Sequence, residues 1–184
     1  YQGFFKLNKY RFRHKLHAGG WSNMIEREIF ERGDAVALLP YDPNTNEFVL
    51  IEQLRVGAVR GATNPWLLEV VAGIIEPGES PEEVCRREAQ EEAGLEVTGL
   101  THVMNYLPSP GGCSEQLMLY FAFVDATDAG GVFGLDEEDE DILVHKVPEA
   151  TVMQWLEEAR FENSATIIAL QWFALNREKL LGDD

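Results

Sequence analysis

GIIEPGESPEEVCRREAQEEAGL, residues 73 to 95, contains a helix specified at both ends and carrying an unusual surface. Ser80 can serve as its N-cap, Pro81 suits the first helical position, and Glu83 completes a Ser-x-x-Glu capping box. Gly94 can take the left-handed conformation that ends a helix, so the element is expected over 81–93. At about 100° per residue, Cys85, Ala89 and Ala93 form a narrow stripe of small residues that lets the helix lie close to a neighbour. Glu88, Glu91 and Glu92 fall together on an adjacent arc. Like charges at that spacing oppose one another by up to a few tenths of a kcal/mol per pair, roughly. A run of Glu on a helix is ordinarily a solvated face. Clustered carboxylates, however, also gather hard divalent cations, and Mg2+ takes oxygen ligands alongside substrate phosphates. A bound cation would turn the repulsion into shared attraction.

Outward from this helix the chain alternates between strand and helix character. Strands are expected at 35–42, 47–55, 67–73, 96–107, 117–125 and 142–147, with DPNTN (42–46) as a hairpin turn between the first two. Two further helices are expected at 148–159 and about 164–180. The first has Val152, Trp155, Leu156 and Ala159 on one face. The second carries Ile167, Ile168, Leu170, Trp172, Phe173 and Leu175 in a wide apolar arc that should be buried. In residues 1–33, Ile25, Arg27 and Ile29 alternate with Glu26 and Glu28, the pattern of a short antiparallel β segment. The division is thus an N-terminal segment (1–33) and a main domain (34–184). The fold class is α+β, an α/β/α sandwich on a mixed sheet.

Composition narrows the function. The 184 residues carry a formal net charge of −17, which argues against a nucleic-acid partner. The same charge would repel an anionic substrate unless cations intervene. No run of about 18 apolar residues exists to span a membrane, and the basic, aromatic start lacks the apolar core of a signal peptide. The chain opens at Tyr1 rather than Met, which allows for a preceding segment. Cys85 and Cys113 have no metal-site spacing and read as reduced thiols of a cytoplasmic protein.

The positions Gly73, Glu79, Arg87, Glu88, Glu91, Glu92, Gly94 and Leu95 fit G-x5-E-x7-R-E-U-x-E-E-x-G-U, with Ala89 a small occupant of the first U. This resembles the Nudix box, a pattern far more specific than a lone glycine motif. The resemblance implies a Nudix α/β/α sandwich and a metal-dependent hydrolase of nucleoside diphosphates linked to another moiety. Glu88 and Glu92, one turn apart, are expected as metal ligands with the Ala72 carbonyl, and Glu91 is placed with the catalytic set beside them. Glu79 and Arg87 are expected to pair and orient the loop, with Gly73 and Gly94 as structural glycines.

Further segments point to one group within that superfamily. Pro110 follows Leu95 by fifteen positions, and REIFERG (27–33), LIEQLR (50–55), PWLLEVVAG (65–73), SPGG (109–112) and GLDEEDEDI (134–142) resemble bacterial ADP-ribose pyrophosphatases. By that resemblance the acidic loop supplies Glu138 as general base and Glu140 as a further metal ligand, although a run of acids is more often solvated. Arg55 is a candidate for the diphosphate. Arg27, Glu28, Arg32, Ile74, Ser109, Gly111 and Glu115 match positions that touch substrate. Arg27 and Arg32 could equally be strand-edge charges. Phe4 and Phe5 match aromatics that sandwich adenine across a homodimer, with core packing as the plain alternative. The expected cofactor is Mg2+, with Mn2+ an alternative. The nearer rival is hydrolysis of another nucleotide sugar such as GDP-mannose. The more distant one is a non-catalytic nucleotide sensor, which predicts a degraded box or an attached DNA-binding segment. Neither feature is visible in the sequence.

Overall fold

Strand β3, Ala35–Asp42, is buried along its whole length. Val36 and Leu38 join one apolar cluster while Ala37, Leu39 and Tyr41 join another on the opposite face. A strand dry on both faces must lie inside a layered fold. Its partners confirm this in the computed structural model, which describes residues 1–62, 64–135 and 139–182. β3 pairs in parallel with β8 (Leu117–Phe123) and antiparallel with β4 (Glu47–Leu54) and β6 (Val71–Ile74). Helix α1, Pro81–Ala93, covers one face through Val84, Cys85, Ala89 and Ala93. Helices α2 (Glu149–Glu157) and α3 (Ser164–Leu181) cover the other through Val152, Ala165, Ala169, Leu170 and Phe173. The expected α/β/α sandwich is therefore present.

The mixed sheet runs β7 (Thr101–Tyr106), β8, β3, β4, β10 (Ile142–Pro148), β9 (Gly131–Phe133). β3 and β4 pair only beside their turn, at Tyr41↔Phe48 and Asp42↔Glu47. Past that point they part. β6 pairs with Ala35 to Leu38 of β3, and β5 (Trp66–Glu69) pairs with Ile51 to Leu54 of β4. The stretch 67–73, expected as one strand, is thus two short strands with different neighbours. Val70 between them leaves the ladder, and its N–H donates instead to Thr166 Oγ1 at 3.0 Å. This opens the sheet at one end, and the box sits in the opening.

Other expectations need correction. The 96–107 strand begins only at Thr101 and is irregular between His102 and Met104. β9 was not anticipated, being three residues long and beginning with glycine. Leu175 is 86% exposed, since at about 100° per residue it lies roughly 160° round the helix from Phe173, which sits in the middle of the buried arc. Ala159 lies beyond α2 with φ of 53°, so it cannot extend that helix's buried face.

Residues 1–33 form their own two-stranded antiparallel ribbon, β1 (Lys6–Phe12) against β2 (Ile25–Glu31). Lys9 and Arg11 reach Glu26 across it at 2.9 and 3.7 Å. Phe30 N–H donates to the Gly112 carbonyl at 2.8 Å, tying the ribbon to the loop before β8. Among the described residues no helix is long and apolar enough to cross a membrane.

Candidate active site

Helix α1 forms where its end signals predicted. Ser80 Oγ accepts from Glu83 N–H while Glu83 accepts from Ser80 N–H, and Gly94 closes the helix with φ of 64°. The capping box stabilises the start by about 1 kcal/mol. A Cβ on Gly94 would also lie 2.7 Å from the Phe133 ring, so the glycine serves both backbone and packing.

The small-residue stripe holds α1 close to β6. Gly73 on β6 is the point of closest approach: a Cβ there would sit 1.9 Å from Glu88 Oε1 and 2.2 Å from its Cδ. Glu92, buried to 3% exposure, accepts from the Ala72 N–H at 3.1 Å. Arg87 lies between three carboxylates. Its Nε donates to Glu79 at 3.1 Å, and its Nη1 donates to Glu88 at 2.9 Å and to Glu91 at 3.0 Å. The expected Glu79–Arg87 pair is present but is only part of a four-residue set. The Glu76 N–H and Arg87 together hold Glu79 below the usual carboxylate range.

These side chains open onto a cavity of about 1590 Å3 between the sheet opening, the start of α3 and the N-terminal ribbon. It is lined by Ala72, Gly73, Ile74, Arg87, Glu88, Glu91, Glu92 and Glu140 from the box and acidic loop. Phe4, Phe5, Arg32, Arg55 and Glu115 line it from the other side. Phe4 and Phe5 stack edge to face at 4.7 Å, and the Arg32 guanidinium stands 5.5 Å over Phe5 and 3.4 Å from Glu115. Arg27, Glu28, Ser109 and Gly111 do not line it in the single chain. Arg27 and Glu28 are exposed on β2, where Arg27 donates to the Glu26 carbonyl at 2.7 Å. Glu138 lies outside the described residues. A smaller cavity of about 560 Å3, lined by Trp66, His145 and Trp155 among others, holds none of the box residues.

Two residues escaped the sequence reading. Glu69, 1% exposed, accepts from Arg55 Nε at 3.0 Å and Nη2 at 2.7 Å, and from Asn163 Nδ2 at 2.9 Å. An acid inside the apolar run LLEVVAG was the available signal for Glu69. Asn163 had none beyond its helix-capping position.

Glu88 and Glu92 at the cavity are largely buried and repel one another. Burial pushes Glu88 up to about 7, against the pull of Arg87 and with the added repulsion of Glu91 and Glu140. Burial likewise pushes Glu92 up to about 8, and Glu88 and Glu140 raise it further while the Ala72 N–H and Arg55 oppose. Among the described residues no three acidic groups already converge on one point. Glu88 is held by Arg87, Glu92 by the Ala72 N–H and Glu140 by the Leu135 N–H at 3.1 Å. The donor set is nonetheless all oxygen, crowded and undercompensated, which suits a hard divalent cation.

The chain belongs to the Nudix family, whose NUDIX domain model matches residues 31–173. Within that family it falls with the bacterial ADP-ribose pyrophosphatases. It is 53% identical to the ADP-ribose pyrophosphatase of Escherichia coli strain K12 over 180 residues, 98% of this chain and 86% of the relative. Identity to the Haemophilus influenzae ADP-ribose pyrophosphatase is 44%, covering 98% of this chain and 84% of that one. Identity to the GDP-mannose pyrophosphatase of Pectobacterium atrosepticum is lower, at 35%, covering 92% and 90%. A crystal structure of an ADP compounds hydrolase superposes with a TM-score of 0.70 at 25% identity, covering 96% of this chain and 88% of its own. Hydrolases of this family work with divalent metal ions.

Two outcomes follow from the geometry. Gly73→Ala should leave the fold intact but displace the Glu88 carboxylate, weakening divalent-cation affinity by about tenfold or more in a calorimetric titration. The raised carboxyl groups also set a pH dependence. Between pH 4.5 and about 8 the cation-free folded state keeps protons on Glu88 and Glu92 that the unfolded chain has released, so stability falls as pH rises. Melting temperature in chelator should decline across that window, and Glu92→Gln should flatten the decline.

Proposed function

We propose that this protein hydrolyses the diphosphate bond of ADP-ribose, yielding AMP and ribose 5-phosphate. The observation that carries this reading is the intact box folded against β6. Its acids, an arginine and two stacked aromatics face one cavity large enough for a dinucleotide-sized ligand. The 53% identity to a relative of that name supports the choice of substrate.

Glu88, Glu92, Glu140 and the Ala72 carbonyl would hold the divalent cations, Mg2+ or alternatively Mn2+. When bound, these supply neutralising charge for the diphosphate and lower the pKa of the attacking water. Glu138 accepts the proton of that water, and Glu91, at the end of the Arg87 fan, belongs to the same catalytic set. Arg87 gathers Glu79, Glu88 and Glu91 around one guanidinium and offsets part of their mutual repulsion. Arg55 grips the diphosphate, since a guanidinium matches phosphate oxygens with several donors at once. Phe4 and Phe5 offer apolar surface for the adenine, with Arg32 over the Phe5 ring, Glu115 paired to Arg32, and Ile74 also lining the cavity. The two free thiols fit a cytoplasmic enzyme.

The active form is a homodimer. A two-stranded ribbon alone is marginally stable, yet this one exposes Leu7, Tyr10 and Phe12 by 41 to 47% and Phe30 by 37%. Such apolar exposure marks an interaction surface. Arg27, Glu28, Ser109 and Gly111, away from the cavity in one chain, contact substrate in the closed assembly. The N-terminal segment 1–33 thus acts as a dimerisation and substrate-contact unit on the 34–184 hydrolase domain.

Chromatographic detection of the nucleoside monophosphate released from a panel of nucleotide sugars, with and without chelator, tests the substrate. ADP-ribose should be turned over fastest and only without chelator, and Glu92→Gln should lower kcat by at least about a hundredfold. A clear preference for GDP-mannose would replace the substrate assignment. Binding without turnover by the unmodified protein would instead favour a sensor. Sedimentation equilibrium should give the mass of two chains, and Leu7→Asp the mass of one.

A further inference from the structure

Arg55 is an arginine on a flexible stem that must present its charge to one place. It sits just past the end of β4, and its backbone N–H donates to the Pro65 carbonyl at 2.8 Å. Its side chain is 41% exposed, so the cavity wall alone does not fix it. What does hold it is Glu69, a carboxylate on the adjacent strand β5 whose side chain is 2% exposed. Both Arg55 Nε and Nη2 donate to the same oxygen, Oε2, while Oε1 receives Asn163 Nδ2.

That arrangement occupies one edge of the guanidinium. Of its five N–H donors two are used, and Nη1 makes no hydrogen bond among the described residues. The Nη1–Nη2 end therefore remains open for a pair of phosphate oxygens. Asn163 is fixed in turn, because its Oδ1 caps α3 by accepting from the Thr166 N–H at 3.0 Å and from Thr166 Oγ1 at 3.2 Å. Thr166 Oγ1 also accepts the Val70 N–H that breaks the strand. One continuous chain of hydrogen bonds thus runs from the break between β5 and β6, through the start of α3, to the arginine in the cavity.

We infer that Glu69, held by Asn163, is the positioning residue that aims the free end of Arg55 at the substrate diphosphate. This rests on the reading of Arg55 as a diphosphate contact. Neither Glu69 nor Asn163 is assigned any part in bond cleavage. Glu69 prevents the guanidinium from pairing instead with the box carboxylates, of which Glu92 lies near enough to be influenced by the Arg55 charge. A glutamine at 69 presents a single carbonyl oxygen to Arg55 and Asn163, which in the native protein use different carboxylate oxygens. Arg55 then loses its fixed orientation even where the fold survives.

The experiment compares steady-state kinetics on ADP-ribose for Glu69→Gln, Asn163→Ser, Arg55→Ala and the double variant Arg55→Ala/Glu69→Gln, with melting temperatures for each. Serine keeps the helix cap but lacks the amide donor to Glu69, so Asn163→Ser separates positioning from stability. KM should rise about tenfold in Glu69→Gln and about threefold in Asn163→Ser, with kcat changed by less than about threefold, because a contact made equally before and during reaction shows in KM. The Glu69→Gln effect should vanish in the Arg55→Ala background. If Arg55→Ala leaves KM unchanged, the diphosphate reading of Arg55 is wrong and the inference falls with it. If Arg55→Ala raises KM while Glu69→Gln and Asn163→Ser do not, or if the effects simply multiply, only the positioning role is overturned.

Discussion

Arg87 stands between Glu79, Glu88 and Glu91, and the geometry of the site depends on that standoff. A single guanidinium cannot neutralise the acids gathered here, since Glu92 and Glu140 add to them from outside its reach. The helix accepts this burden because its ends are well capped and its small-residue face packs tightly on the sheet. Glu88 comes so close to β6 that only a glycine can stand opposite it. The same crowding that costs stability in the cation-free protein makes the site attractive to a divalent ion.

The sheet makes room for that crowding. Because β3 and β4 part after two paired positions, β5 and β6 fill the gap, and their ends bring Glu69 and the Ala72–Gly73 backbone to the cavity edge. Backbone and side-chain functions are divided accordingly. β6 contributes peptide groups and a missing Cβ, α1 contributes charge, and the start of α3 holds the arginine opposite through Asn163 and Glu69.

What the sequence made legible follows the range of the interactions involved. Helix α1 is placed to the residue by Ser80, Pro81, Glu83 and Gly94, because capping acts within one turn. β3 is equally clear, since an unbroken apolar run before a Pro-Asn turn has few other readings. The division of 67–73 was not readable locally, because the acceptor that draws Val70 out of the ladder is Thr166, almost a hundred residues away. The box acids were found by spacing, whereas Asn163 reaches the site only through Glu69. Leu175 was misjudged because helical periodicity gives a direction but not the width of the covering sheet.

The parallel pairing of β3 with β8 joins Ala35 to Leu117 and Tyr41 to Phe123. As the polypeptide is synthesised, AVALLPYD is complete long before its parallel neighbour exists. Contacts so distant along the chain are slow to form. Until β8 arrives, a largely apolar strand has one open edge, the condition under which nascent chains aggregate. The hairpin with β4 and the early return of β6 give that strand interim shelter, so the insertion that shapes the catalytic cleft also protects the chain while it is being made.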